Sequence, residues 1–150
     1  MDEIDRKVLR AHQEFPDLSM VDLGEKIGMS HGACWKRVKR LERDGVISGR
    51  AVLVDQKAIG LNATVIAHVR IESHKADALE AFERAARRHP EITVCFTMSG
   101  DADFLLRVVA ADIEDYERIL KDKLSNLPHV VAINSSFVLK RVKDTPTLPI

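Results

Sequence analysis

Apolar positions recur at helical spacing through the first third of the chain and at strand spacing through much of the rest. Ile4, Val8 and Ala11 share one face of a helix expected over 2–13, which ends near Phe15-Pro16 because proline cannot continue the ladder. Met20, Leu23 and Ile27 mark a second helix, opened by Ser19 with Asp22 as an acidic capping partner and closed by Gly28. Cys34, Val38 and Leu41 repeat at i, i+4 and i+7 behind the N-cap Ser30, and Asp44-Gly45 supplies the exit turn. Helices two and three are therefore joined by about three residues including a glycine, the geometry of a helix-turn-helix. The run from Val46 to Asp55 is expected to fold as two short extended pieces around Ser48-Gly49, a small β-wing carrying Arg50. Residues 57–62 break the periodicity, so the reading places one domain over 1–60 and a second over 61–150.

From Ala63 the period becomes two: Ala63, Val65, Ala67, Val69 and Ile71 alternate with Thr64, Ile66, His68 and Arg70. Residues 75–89 return to helical spacing with Leu79, Phe82 and Ala86 inward, and stop at Pro90. Ile92, Val94, Phe96 and Met98 make a second strand, and Ser99-Gly100-Asp101 turns it into a third over 104–109. Asp112 caps a helix with Ile113, Tyr116, Leu120 and Leu124 as its stripe, ended by Leu127-Pro128 before a last strand from Val130 to about Val142. The order β-α-β-β-α-β is that of a ferredoxin-like sandwich, an antiparallel sheet with both helices on one face. Odd and even positions of the strands are both partly apolar, Ile66, Ile133, Phe137 and Leu139 among them, so a second subunit is expected to cover the open face. The fold class is α+β.

Composition adds limits. A chain of 150 residues with 45% hydrophobic content can build a real core. No apolar run is long enough to cross a bilayer and the start Met1-Asp2-Glu3-Ile4-Asp5 is no secretory signal, so a cytoplasmic address is expected, with no membrane partner. Cys34 and Cys95 are far apart and expected to be reduced and buried. The six histidines show no i, i+4 pairing, and no nucleophile elbow, Walker or dinucleotide pattern occurs. No metal, no cofactor and no catalytic residue is expected, and the chain is read as a non-enzyme.

Charge is informative only when divided. The whole chain balances 23 basic against 23 acidic residues, yet Lys36, Arg37, Lys39, Arg40 and Arg43 crowd the third helix against Glu42 alone. A local cationic rod behind a helix-turn-helix points to double-stranded DNA: N-terminal residues read base edges and later cations meet phosphate. Ser30, His31, Gly32, Lys36 and Arg37 are the groove-facing candidates, with Lys39, Arg40 and Arg50 on the backbone. Trp35 is assigned to packing against the wing or the first helix ahead of a nucleic-acid contact. In the other half, the turn from Ser99 to Asp103 offers two carboxylates and exposed amides, able to grip the ammonium and carboxylate of a free amino acid; the competing reading is a tight hairpin turn and nothing more.

The opening Ile4-Asp5-Arg6-Lys7-Val8-Leu9, the stretch Cys34 to Ile47, the turn Ser99 to Leu106 and the run Ser135 to Lys143 together resemble the Lrp/AsnC, or feast/famine, family of transcription regulators over nearly the whole chain. Where members often carry proline before the cysteine of the third helix, this chain has Gly32-Ala33. The resemblance implies a winged helix-turn-helix followed by a ligand-sensing sandwich of the RAM type, a response to a small amino acid, and homodimers that often assemble to octamers. It places the turn Gly100 to Asp103 near a ligand pocket at a subunit interface, with Ser135 and Ser136 close by. Met98, Gly100, Asp101, Asp103, Ser135 and Ser136 form the expected effector set. The competing reading is an amino-acid-binding sandwich attached to a protein-docking helical module.

Overall fold

A computed structural model describes all 150 residues, in two compact units. The first comprises Met1–Val52 together with Lys143–Ile150, and the second Leu53–Val142. The sequence boundary at residue 60 thus differs from the compact units at both ends: the division falls at Val52, and the last eight residues return to the first unit.

In the first unit α1 (Glu3–Glu14), α2 (Met20–Ile27) and α3 (His31–Arg43) begin on side-chain caps. Asp2 and Asp5 cap each other's amides at 2.7 and 2.9 Å, Ser19 accepts from the Asp22 amide, and Ser30 from the Ala33 amide. These bonds satisfy first-turn donors that would otherwise face solvent or core unpaired. Val8, Leu9, Leu23, Ile27, Cys34, Val38 and Leu41 close one small core. The buried face of α1 is rotated from the expected one, since Ile4 is exposed and Asp5 is the buried residue. Gly28 ends α2 in the left-handed region at φ +71°, which lets the chain turn within three residues into α3. Residues 46–55 form no strand, and the expected wing ladder is absent. Val52, Leu53 and Val54 stay largely exposed: a two-stranded wing would need packing beneath it, and these side chains find none. The returning tail is held by Gln13, whose amide nitrogen donates to the Leu148 carbonyl while its oxygen accepts the Leu148 amide; Ile150 packs on the helical core.

The second unit follows the expected order: β1 (Ala63–Ile71), α4 (Ala76–Ala86), β2 (Ile92–Thr97), β3 (Phe104–Ala110), α5 (Ile113–Asp122) and β4 (Val130–Phe137). The sheet is antiparallel throughout in the order β2-β3-β1-β4. β1 is central because its alternation of Val65, Ala67, Val69 and Ile71 puts a fully apolar row beneath α4 and α5, where Phe104, Leu106 and Val108 of β3 continue it. Phe82 stacks on Phe104 at 4.2 Å between ring centres. β4 stops at Phe137, short of the expected Val142. Cys95, expected buried, is exposed on the edge strand β2, whereas Cys34 is buried. No helix is long and apolar enough to cross a membrane.

Candidate nucleic-acid interface and effector turn

α3 has three longitudinal sides, set by its 3.6-residue repeat. Cys34, Val38 and Leu41 face the core. The flank toward α1 carries Arg37 and Arg40. Arg37 donates to Asp2 at 2.8 Å and to Asp5 at 2.6 Å, and Arg40 donates to Asp5. Asp5 is 1% exposed, so it is a buried carboxylate answered by two guanidinium groups and the Asp2 amide. Burial by itself disfavours its charge, but the Asp2 amide and Arg37 outweigh that and hold it below the usual carboxylate range. Asp2 is lowered further, to about 2, first by the Arg37 bond and then by the Asp5 amide. Arg37 and Arg40, expected on DNA, are therefore drawn back onto α1. They fix the rotation of α3 about its own axis.

The remaining surface presents His31, Gly32, Trp35, Lys36, Lys39 and Arg43, all exposed. Lys36 makes no ion pair, whereas Lys39 meets Glu42 at 2.7 Å, Arg50 approaches the same Glu42 at 3.8 Å, and Arg43 meets Asp44 at 3.0 Å. Exposed pairs of this kind contribute little and exchange readily for another anion. Ser30, expected to face the groove, also caps α3, its hydroxyl oxygen accepting the Ala33 amide. Trp35, expected in the core, is 46% exposed beside Lys36 and Lys39. Asp2 and Asp5 escaped sequence reasoning as parts of this surface. Their i, i+3 spacing announces a capping box, but nothing local announces arginines more than thirty residues away.

The turn between β2 and β3 gathers part of the expected effector set. Met98 donates its amide to the Asp103 carbonyl at 2.8 Å, Gly100 adopts φ +120°, and Asp101 is exposed at the tip. Asp103 is committed inward: its carboxylate accepts the Ile71 amide at 2.8 Å and meets His74 at 2.6 Å, and its own amide donates to the Val69 carbonyl. The Ile71 bond, assisted by His74 and opposed by burial, holds Asp103 below its ordinary value. Asp103 thus locks the turn to the end of β1, and Asp101 is the exposed carboxylate of the turn. The serines lie elsewhere in this unit. Ser135 stands beside Ala67, under the helices, where its hydroxyl bonds Tyr116 at 2.5 Å, while Ser136 beside Ile66 points to the opposite face of the sheet. No cluster of potential metal ligands occurs.

Residues 1–48 match the winged helix-turn-helix DNA-binding family model and residues 64–148 the Lrp/AsnC ligand binding domain. The chain is 34% identical over 150 residues to the DNA-binding transcriptional activator DecR of Escherichia coli K12, covering all of this chain and 99% of the relative. It is 35% identical to the glutamate uptake regulatory protein of Zymomonas mobilis, covering all of this chain and 91% of the relative. Among solved structures, an AsnC family transcriptional regulator from Agrobacterium tumefaciens superposes with a TM-score of 0.94 at 37% identity, covering 99% of this chain and 97% of that one. A transcriptional regulator from Neisseria meningitidis, solved as its L-Met complex, gives 0.93 at 33% identity, covering 99% and 96%. With the two family models matched in order and relatives aligned over the whole chain, the chain belongs to the Lrp/AsnC family of DNA-binding transcription regulators.

Proposed function

We propose that this regulator acts in the cytoplasm by placing the exposed side of α3 in the major groove of promoter DNA and by answering to a free amino acid held near the β2–β3 turn, with no catalytic step. The observation that carries this reading is the division of labour on α3. Two arginines brace the helix against a buried carboxylate, and Lys36, free of any ion pair, stands on the outermost line, away from the core stripe, with Gly32 and Arg43. Lys39 and Arg50 share the half-buried Glu42 and Arg43 holds the exposed Asp44, and all three trade these partners for phosphate on binding, releasing counterions. A mobility-shift titration on the chain's own upstream region at moderate salt tests the DNA half; no specific retardation refutes it.

For the effector, the relative solved with L-Met supports an amino acid as ligand class, and Asp101 with the exposed end of the turn supplies the ammonium partner. A thermal-shift series over the twenty amino acids tests it, because a ligand of the native state raises the midpoint by mass action. Phe96 and Val138 are exposed on strand β2 and just past β4, and Ile66, Leu105 and Val109 are only partly covered, which supports a homodimer over the open side of the sheet; assembly toward an octamer rests on the family resemblance alone. Light scattering that reports a monomer at micromolar concentration removes the assembly from the proposal. The effector then works through unequal affinity for the assemblies or for the spacing of paired α3 helices.

A further inference from the structure

Two residues on the exposed side of α3 are unfavourable for the fold as it stands. Trp35, a large apolar residue, is 46% exposed, and neither an aromatic ring nor a cation of this chain packs on it. Gly32 sits in the first turn of α3, where alanine is the better helix former, and a methyl group added there would meet nothing within 4 Å. Neither core packing nor backbone geometry asks for glycine at this position. What a missing side chain provides is room for something to come close to the helix backbone. Position 32 lies near the outermost line of α3, on the same line as Lys36 and one turn before it, and Trp35 borders that line.

We propose that Gly32 and Trp35 form an apolar reading site for thymine, a deepening that rests on the DNA-binding reading above. Gly32 lets the first turn of α3 sink close to the base edges, and Trp35 lays its indole on a thymine methyl, the one apolar group that the major groove presents. Lys36, next to it, takes a base acceptor or phosphate. The braced arginines make this possible: with Arg37 and Arg40 held on Asp5, α3 cannot roll the indole inward.

Trp35 is the sole tryptophan of the chain, so its emission reports on this site alone. The test uses the full chain and duplexes of its upstream region, made with thymine or with deoxyuridine throughout. The expected result is altered Trp35 emission and reduced acrylamide quenching on the thymine duplex, with weaker binding to the deoxyuridine duplex by about fourfold for each methyl buried, the ratio for one methyl-sized group. Trp35→Ala should bind both duplexes equally. Gly32→Ala should melt at or above the wild-type midpoint and yet bind DNA about tenfold more weakly, a combination that a merely structural glycine does not give. Retained specific binding with unchanged Trp35 quenching, or Trp35→Ala that still prefers thymine, overturns the reading site while leaving DNA binding in place. Failure to retard any duplex overturns DNA binding itself and the reading site with it.

Discussion

Gly24→Ala is the sharpest perturbation of the helix-turn-helix. Gly24 is buried in α2 against the start of α3, and a Cβ built there lies 2.9 Å from the Met29 carbonyl oxygen, 3.5 Å from the Cys34 Cβ and 3.6 Å from the His31 amide nitrogen. The Met29 peptide cannot swing aside freely, because its own amide donates to the Gly24 carbonyl at 2.8 Å and Gly28 fixes the turn. Replacing a helical glycine by alanine ordinarily gains about 1 kcal/mol. Forcing a methyl into packed backbone costs about 1–3 kcal/mol, which cancels that gain and leaves a net loss of about 0–2 kcal/mol, toward the upper end here because the clashing atom is backbone. For a unit of this size the midpoint should fall by about 4–8 °C per kcal/mol lost. The opening of the α2–α3 angle should weaken DNA binding as well. Thermal unfolding followed by circular dichroism, with mobility shifts on the same samples, reads both. Gly32→Ala is the internal control, since it has the same chemistry in open space and should not fall. A Gly24→Ala protein that melts at or above wild type refutes the close-approach reasoning.

Asp5→Asn should lower the thermal midpoint and DNA affinity together, because the carboxylate shared by Arg37 and Arg40 is replaced by a neutral amide; affinity lost with an unchanged midpoint would contradict a bracing role. Asp2, at about 2, and Asp5 and Asp103, both lowered, bind protons less readily when folded than when unfolded, where aspartate titrates near 3.9. Their stabilisation is complete above that value and is lost as pH falls through it toward 2, so acid titration of the fold should show a transition there that Asp5→Asn reduces. His12 is buried with an unpaired Nδ1, and burial aided by Arg50 lowers its pKa. It therefore stabilises the fold above about 6.5 and less as pH falls below, and His12→Leu should flatten the change in melting midpoint between pH 7.5 and 5.5. Tyr116→Phe should cost about 1 kcal/mol in chemical denaturation by leaving the Ser135 hydroxyl unanswered; no loss would mean that the bond is replaced by water.

What could be read from the chain was what is local. Ser19, Ser30 and Asp112 announce helix starts through side chain to backbone bonds spanning three residues, and all three caps form. The alternation of β1 and the apolar stripe of α3 follow periods of two and 3.6, and both bury the expected residues. What could not be read depends on distant partners. Asp5 displaces Ile4 from the buried face of α1 because Arg37 and Arg40 are there to receive it, and no window around residue 5 contains them. The Val46 to Asp55 run has the composition of strand, but extended backbone becomes a ladder only when a second segment pairs with it. Packing of Trp35 against the wing or the first helix needs a surface there, and with no wing ladder formed and the indole angled away from Cys34, Val38 and Leu41 it stays half exposed. Of the effector set, Asp103 and Ser135 were legible as polar positions, but Ile71 and Tyr116, which claim them, come from other strands and helices.

The hold of Gln13 on Leu148 makes the helical unit discontinuous along the chain, with the entire sandwich spliced between its two pieces. A truncation after residue 52 or 60 would strip Gln13 and Arg10 of their backbone acceptors and uncover the spot where Ile150 rests, so an isolated DNA reader prepared that way is a damaged one. Grafting residues 143–150 back onto such a fragment restores the missing wall.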